Sequence, residues 1–303
     1  MSIPPTISVV VASGAGGDFL IRCLDSLQRQ AQEQNAEVIV VDRCGSARCA
    51  EITERYPSFR LVPYPGDERP SVPQMRAVGV DHSTAPVVAV IEEHCVAPPD
   101  WLQTIQTAFG PEDAAIGGPI LDDDFDKIRD WVVYFCEYHN DLPPWLPGPR
   151  SWLNDANAAY SRDRLIENRA TLGDSYWAIA LHPQLAASGA SMRSVPEMGL
   201  AHTGPFNYGY YLHQRYLLSR VWGGTQRYRV SGMIRLAHLL AFPIFPLFLL
   251  TRIARRVHAT GSVRLRGQFV RALPLLVPAV IAFTCGEWLG YLVGPGKAIE
   301  KVE

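Results

Sequence analysis

Residues 88 to 102 read VAVIEEHCVAPPDWL, an apolar run that stops at Glu92, Glu93 and His94. Three ionisable side chains at the exit of a buried strand are costly unless a metal, a substrate or solvent receives them. Residues i and i+2 of an extended segment share a face, so Glu92 and His94 are expected to aim together. A carboxylate beside a neutral imidazole can hold a divalent cation, Mn2+ or Mg2+. The competing reading is a charged strand end in water.

A second stretch, VVVASGAGGDFL, runs from strand through glycines to helix. Gly14 and Gly16 fit the first two positions of a dinucleotide-binding loop, but Phe19 stands where the third glycine belongs, which argues against an oxidoreductase. Asp42 closes the run EVIVVD. It suits a sugar or base contact, and equally a turn that ends a strand.

The elements that must position these residues alternate. Strands are expected at 7–13, 37–42, 59–65 and 85–94, and helices at 19–32, 49–57 and 72–83. Such alternation predicts an α/β fold, a mostly parallel sheet flanked by helices, with ligands bound beyond the carboxyl ends of the strands. Ala12-Ser13, Asp42 and Glu92-Glu93-His94 then face one crevice. Further on, single strands are expected at 114–121 and 192–202, and a helix closed by Gly189. DDDFDKIRDW reads as a solvated loop or helix start, and the proline- and tryptophan-rich 141–152 as a loop over a cleft.

Charge divides the chain in two. The 303 residues carry a formal charge of −2, but residues 201–303 hold 13 Lys+Arg against 3 Asp+Glu, leaving 15 against 27 for the first two hundred. A basic, apolar back suits an anionic membrane surface better than nucleic acid. The expected domains are therefore 1–230, catalytic, and 231–303, membrane-associated. The six cysteines include no CxxC pair, and the start MSIPPTISVVVAS is not a signal peptide. Both point to reduced thiols and a cytoplasmic catalytic region, although Cys44 and Cys49 stand close enough to pair.

Several motifs in order resemble the family 2 glycosyltransferases of GT-A fold, over roughly residues 7–220. ISVVVAS looks like the first nucleotide-binding strand, and VIVVDRCGS like the strand ending in Asp-Gly-Ser, which implies Asp42 at the nucleobase. MRAVGV resembles the Ala-Arg-Asn-x-Gly helix and keeps Arg76 and Gly79. IEEHCVAPPDWL resembles the Asp-x-Asp stretch, here Glu-x-His. NDANAAYSRDRL is similar to an acceptor-side motif, through Asn157 and Arg162. GDSYWAIAL stands where the family has Glu-Asp-x-Asp-Leu, so Asp174 takes the base position, with Asp155 in reserve; Asp174 fits equally as the N-cap of that helix. VPEMGLAH resembles a late strand whose histidine, His202, completes a metal site with His94 and Glu92. Arg220 and Trp222 resemble the Gln-x-x-Arg-Trp region near the acceptor or its phosphate, and 205–230 reads equally as an interfacial amphipathic helix.

The resemblance implies an inverting glycosyltransferase at the cell membrane. It would carry a sugar from a nucleotide-diphosphate donor, held by Ala12, Ser13, Asp42, Arg76, Glu92 and Glu93, to a lipid-linked or glycan acceptor. Glu-x-His in place of Asp-x-Asp feeds the alternative of a non-catalytic, membrane-bound relative. Nucleotidyl transfer lacks its Gly-rich, Arg/Lys-bearing first loop here. In the back, 236–251 carries no charge but rises only ~24 Å as a helix, short of the ~30 Å hydrocarbon core, and Pro243 and Pro246 interrupt it. The link 251–271 holds six arginines and no acid. Arginines favour the cytoplasmic side. Two interfacial or re-entrant elements are therefore expected rather than a spanning pair.

Overall fold

The computed structural model describes residues 3–14, 16–43, 46–65, 69–169, 175–176, 178–203 and 207–302. β-branched runs form β1 (Ile7–Ser13), β2 (Ala36–Asp42), β3 (Arg60–Pro63) and β4 (Val87–Glu92), separated by α1 (Asp18–Glu33), α2 (Ser46–Arg55) and α3 (Val72–Asp81). A turn follows β4, then β5 (Cys95–Val96), α4 (Trp101–Ala108), β6 (Asp113–Gly117) and β7 (Ile120–Asp122). After α5 (Ile128–Tyr138) come β8 (Gly148–Pro149), β9 (Asn157–Ser161), α6 (Arg162–Glu167), α7 (Ala178–Ala187), β10 (Ser191–Ser194) and β11 (Leu200–His202).

The main sheet has the order β3-β2-β1-β4-β9-β6-β10-β8. β1, β2, β3 and β4 are mutually parallel, and β9 is antiparallel to both its neighbours. The order reverses at β1, leaving a crevice beyond the carboxyl ends of β1 and β4, the usual ligand position in such sheets. Val9, Val10, Val11, Ile39, Val40, Val88 and Ile91 are buried, as strands covered on both faces require.

Two expected strands each divide. The run 114–121 breaks at Gly118-Pro119 and the run 192–202 at Val195–Gly199, where Gly118 packs against Met198 with no room for a side chain. β7 and β11 thereby leave the main sheet and join β5 in a three-stranded sheet, β5-β11-β7. This pairing sets His202 opposite Cys95 and beside Asp122.

Packing divides the chain into Met1–Asp123 with Pro143–Thr203, and Asp124–Leu142 with Gly204–Glu303. The breaks differ from the expected 1–230 and 231–303. DDDFDKIRDW takes the second of its two expected forms, a helix start: α5 begins at Ile128 and buries Trp131, Tyr134 and Phe135 within the second unit, where Phe135 meets Phe269 edge-on, centroids 5.7 Å apart. The second unit continues with α8 (Tyr208–Gln226), α9 (Gly232–Ala241), a 3-10 turn (Phe242–Ile244), α10 (Phe245–Ala259) and α11 (Val263–Val293). Pro243 and Pro246 sit in the first turns of the 3-10 segment and of α10, where their missing N–H groups are tolerated. Helix therefore runs over Gly232–Ala259, well beyond the uncharged 236–251. That run and Val263–Val293 are both long and apolar enough to cross a membrane.

Gly79 lets α3 lie on the sheet, since a Cβ there would overlap Val10 Cγ1 and crowd Val41. Gly79→Ala is expected to lower stability by about 1–3 kcal/mol through overpacking, measured by urea denaturation of the detergent-solubilised protein.

Candidate active site at the switch crevice

Register aligns the strand tips. Ser13 pairs with Asp42, and Ala12 with Glu92. The loop after β1 passes through Gly16 and Gly17 at φ 63° and 78°, a backbone region open to glycine at little cost. Its amides are held by an internal anion. Glu93 accepts from the Gly14 N–H through Oε1 and from the Gly16 N–H through Oε2, each at 2.9 Å. From the other side Arg43 Nε donates to the Gly14 carbonyl at 3.0 Å.

Glu92 and Glu93 therefore do different work. Arg76 of α3 is 4% exposed and donates to Glu92 Oε1 at 3.2 Å and to Asp155 Oδ2 at 2.6 Å. Burial opposes its charge, but Asp155 and Glu92 outweigh it and hold the guanidinium above the ordinary arginine value. Asp42 is buried and accepts the Cys49 thiol at 3.4 Å, while Cys44 lies outside the described residues. Four carboxylates (Asp42, Glu92, Glu93, Asp155) thus stand with two guanidinium groups (Arg43, Arg76), a formal balance of −2.

The extended segment on which the expected shared aim of Glu92 and His94 rests does not reach His94. The strand ends at Glu92 and the chain turns through residues 93–94, so the i, i+2 rule lapses there. His94 instead packs against Phe19, centroids 5.0 Å apart, and against His202 at 6.3 Å and 51°. Burial lowers the His94 pKa, and burial followed by repulsion from His94 pushes His202 down to about 3. Both rings are therefore neutral, the form that coordinates metal. The pair stands close enough for one ion to reach both rings. It does not extend to the expected trio with Glu92, and no group of three or more His, Cys, Asp or Glu fit to hold an ion occurs among the described residues.

Other expected site residues lie elsewhere. Asn157 is fully buried; its amide donates to the Pro119 and Met198 carbonyls and its oxygen accepts the Trp101 indole at 3.1 Å. It ties the segments before β7 and β11 to β9. Arg162 follows β9, whose antiparallel register sets Ser161 beside Val87, at the amino end of β4. That is a strand length from Glu92, and its Nε is used on the Ser83 carbonyl and hydroxyl. Arg220 and Trp222 belong to the second unit, where Arg220 Nε donates to the Gly294 carbonyl at 3.4 Å and Trp222 bonds Glu287. Asp174 lies outside the described residues. A cavity of 330 Å³ is lined by Pro143, Pro144, Trp145, Pro119, Leu121 and Glu197, under the expected proline-rich loop and without any of the site residues named above.

A mostly parallel sheet reversing at β1, flanked by helices, with an acidic crevice and a clamped glycine loop, is a Rossmann-like arrangement. The family model for glycosyl transferase family 2 matches residues 8–162, just over half the chain. The chain belongs to that family and is a glycosyltransferase of GT-A fold. It is similar to a glucosyl-dolichyl phosphate glucuronosyltransferase from Haloferax volcanii, 29% identical over 90 residues. That match covers 29% of this chain and spans about a quarter of the relative's length. The fold is similar to a mannosyltransferase from Pyrobaculum calidifontis solved with GDP-Man and Mn2+, with TM-score 0.54 and 15% identity over 96% of this chain and 86% of that one.

Glu93→Ala removes the charge-assisted bonds to the buried Gly16 amide and the half-buried Gly14 amide. We expect a stability loss of about 3 kcal/mol by urea denaturation, and roughly half of that for Glu93→Gln, which keeps one acceptor oxygen.

Proposed function

We propose that this enzyme transfers a sugar, with inversion, from a nucleotide-diphosphate sugar to a hydroxyl of a lipid-linked or membrane-delivered acceptor. The observation that carries the reading is Arg76, enclosed between Glu92 and Asp155 at the mouth of the switch crevice, beside buried Asp42. Asp42 suits the nucleobase or ribose, and the Glu93-clamped loop sets the floor against which the diphosphate lies.

The acidic balance of the crevice matters for a donor that is itself anionic. A divalent cation, Mn2+ or Mg2+, supplies neutralisation of the charge that grows on the departing diphosphate, and His94 and His202 would hold it. The chain's own groups do the rest. Arg76, fixed at both ends by carboxylates, orients the donor side. A carboxylate takes the proton of the acceptor hydroxyl as its oxygen attacks the anomeric carbon opposite the diphosphate. The sugar–phosphate bond breaks in that same displacement, which inverts the configuration. Asp174 is the base in this reading, because Asp155 Oδ2 is committed to Arg76. The apolar C-terminal helices support an acceptor presented by a membrane, with the catalytic unit on the cytoplasmic side, where nucleotide sugars occur.

A melting screen of uridine and guanosine diphosphate sugars, with and without Mn2+ and Mg2+, tests donor binding. One donor at a hundredfold excess over its dissociation constant should raise stability by ~2.7 kcal/mol. Asp42→Ala should abolish that shift in a folded protein; no shift with any donor would end the proposal.

Asp174→Asn should lower kcat by ~10²–10⁴-fold with the donor KM little changed, as loss of a general base does. A fall confined to KM would remove Asp174 from the base role.

A further inference from the structure

The second unit has two unlike sides. Along α9 and α10 the exposed apolar residues Met233, Leu236, Leu240, Ile244 and Leu247 recur at three- and four-residue steps, which is one helix face. α8 lies along the apolar half of α11, from Tyr208, whose hydroxyl donates to the Leu275 carbonyl, to Gly224, which abuts Pro295. The α8 contacts fall on Gly286 and Gly290, whereas α9 meets Trp288, whose Nε1 donates to the Leu239 carbonyl at 3.1 Å. Positions two residues apart are ~200° apart around a helix, so α8 and α9 occupy opposite sides of α11.

The tail decides between crossing a bilayer and lying in it. After α11 the chain doubles back along α8: Ala298 and Val302 are buried, and Gln214 donates to the Lys301 carbonyl at 3.3 Å. Lys297 and Lys301 are exposed on that side, at the depth of the apolar half of α11. If residues 275–293 crossed the hydrocarbon, these lysines would be carried into it, at ~2.5–3.5 kcal/mol each near the centre. Both ends of the helix pair are also basic. Arg227, Arg229 and Arg235 stand at one end, and Arg255, Arg256, Arg266 and Arg271 at the other, the last four without a carboxylate partner among the described residues. A crossing would send one of these groups to the far side, against the positive-inside tendency.

We propose that the second unit is an in-plane membrane insert. The apolar face of α9–α10 sinks into one leaflet, the arginines at both ends sit among its anionic headgroups, and the α8–tail side faces the water outside that same leaflet. Chain continuity agrees. The excursion Asp124–Leu142 leaves and rejoins the first unit, is too short to cross a bilayer and return, and binds the arginine-rich end through Asp124–Arg264 and Asn140–Arg252. The inference holds whether or not the acceptor is lipid-linked.

Single cysteines at Ser58, Ser231 and Ser262, in a chain with Cys44, Cys49 and Cys285 replaced by serine, report the side in sealed inside-out membrane vesicles. An impermeant maleimide should label all three to within twofold. Ser231→Cys reacting only after permeabilisation, with Ser58→Cys reacting before it, would overturn the proposal. Should that background not fold, trypsin on the wild-type chain in the same vesicles gives the answer: cleavage at Arg227 or Arg229 without detergent is expected, and protection there with cleavage of the catalytic unit refutes it. Depth is read with a bimane on purified variants bound to vesicles of three parts phosphatidylcholine to one part phosphatidylglycerol. Nitroxide lipids should quench the probe at Leu240→Cys and Leu247→Cys and leave Lys301→Cys unchanged. Quenching at Lys301, or a lipid-free dimer that shields Leu240 and binds no vesicles, would overturn it.

Discussion

A guanidinium enclosed by protein must be met by carboxylates, and Arg76 is met by two from different parts of the chain. Removing such a charge from water costs several kcal/mol unless partners are in place. Glu92 comes from the tip of β4 and Asp155 from the turn before β9, while Arg76 itself rides on α3. One requirement therefore joins helix, parallel strand and antiparallel strand at the mouth of the switch crevice. The neighbouring Glu93 applies the same logic to backbone, using one carboxylate for two amides of the loop after β1. Adjacent residues of identical type thus fix the two walls of the crevice.

The first half of the fold was legible because its strands are short, β-branched and divided by helices of clear period. Their tips, Ser13, Asp42 and Glu92, follow from that pattern and meet in register. Side-chain direction was not legible beyond the last strand residue. The turn after Glu92 cancels the two-residue period on which a shared aim for Glu92 and His94 depended. Likewise, NDANAAYSRDRL carries no mark of strand direction, and the antiparallel course of β9 separates Arg162 from the crevice. The Glu93 clamp escaped notice because its partners are main-chain amides; two glycines before a helix, with an acid at a neighbouring strand end, are its only trace.

The metal question turns on the same geometry. Two neutral imidazoles meet across the small sheet because both β7 and β11 abandon the main sheet at glycine–proline breaks. The carboxylate that an extended strand would have supplied is engaged with Arg76. The fold therefore gathers two imidazoles beside the small sheet and keeps Glu92 on the guanidinium, a division that composition alone does not reveal.

The excursion through α5 has a consequence for synthesis. Its aromatic face of Trp131, Tyr134 and Phe135 is completed by Arg264, which lies over Trp131 at 5.3 Å, and by Phe269. Those partners leave the ribosome roughly 130 residues later, which at ~5–20 residues per second is roughly 7–26 s. During that interval the remaining strands, through β11 at His202, are made and the catalytic sheet can close, while α5 waits with an apolar face and no mate. Its shelter then must come from a chaperone or from the lipid surface itself, so delivery to the membrane becomes a step in folding.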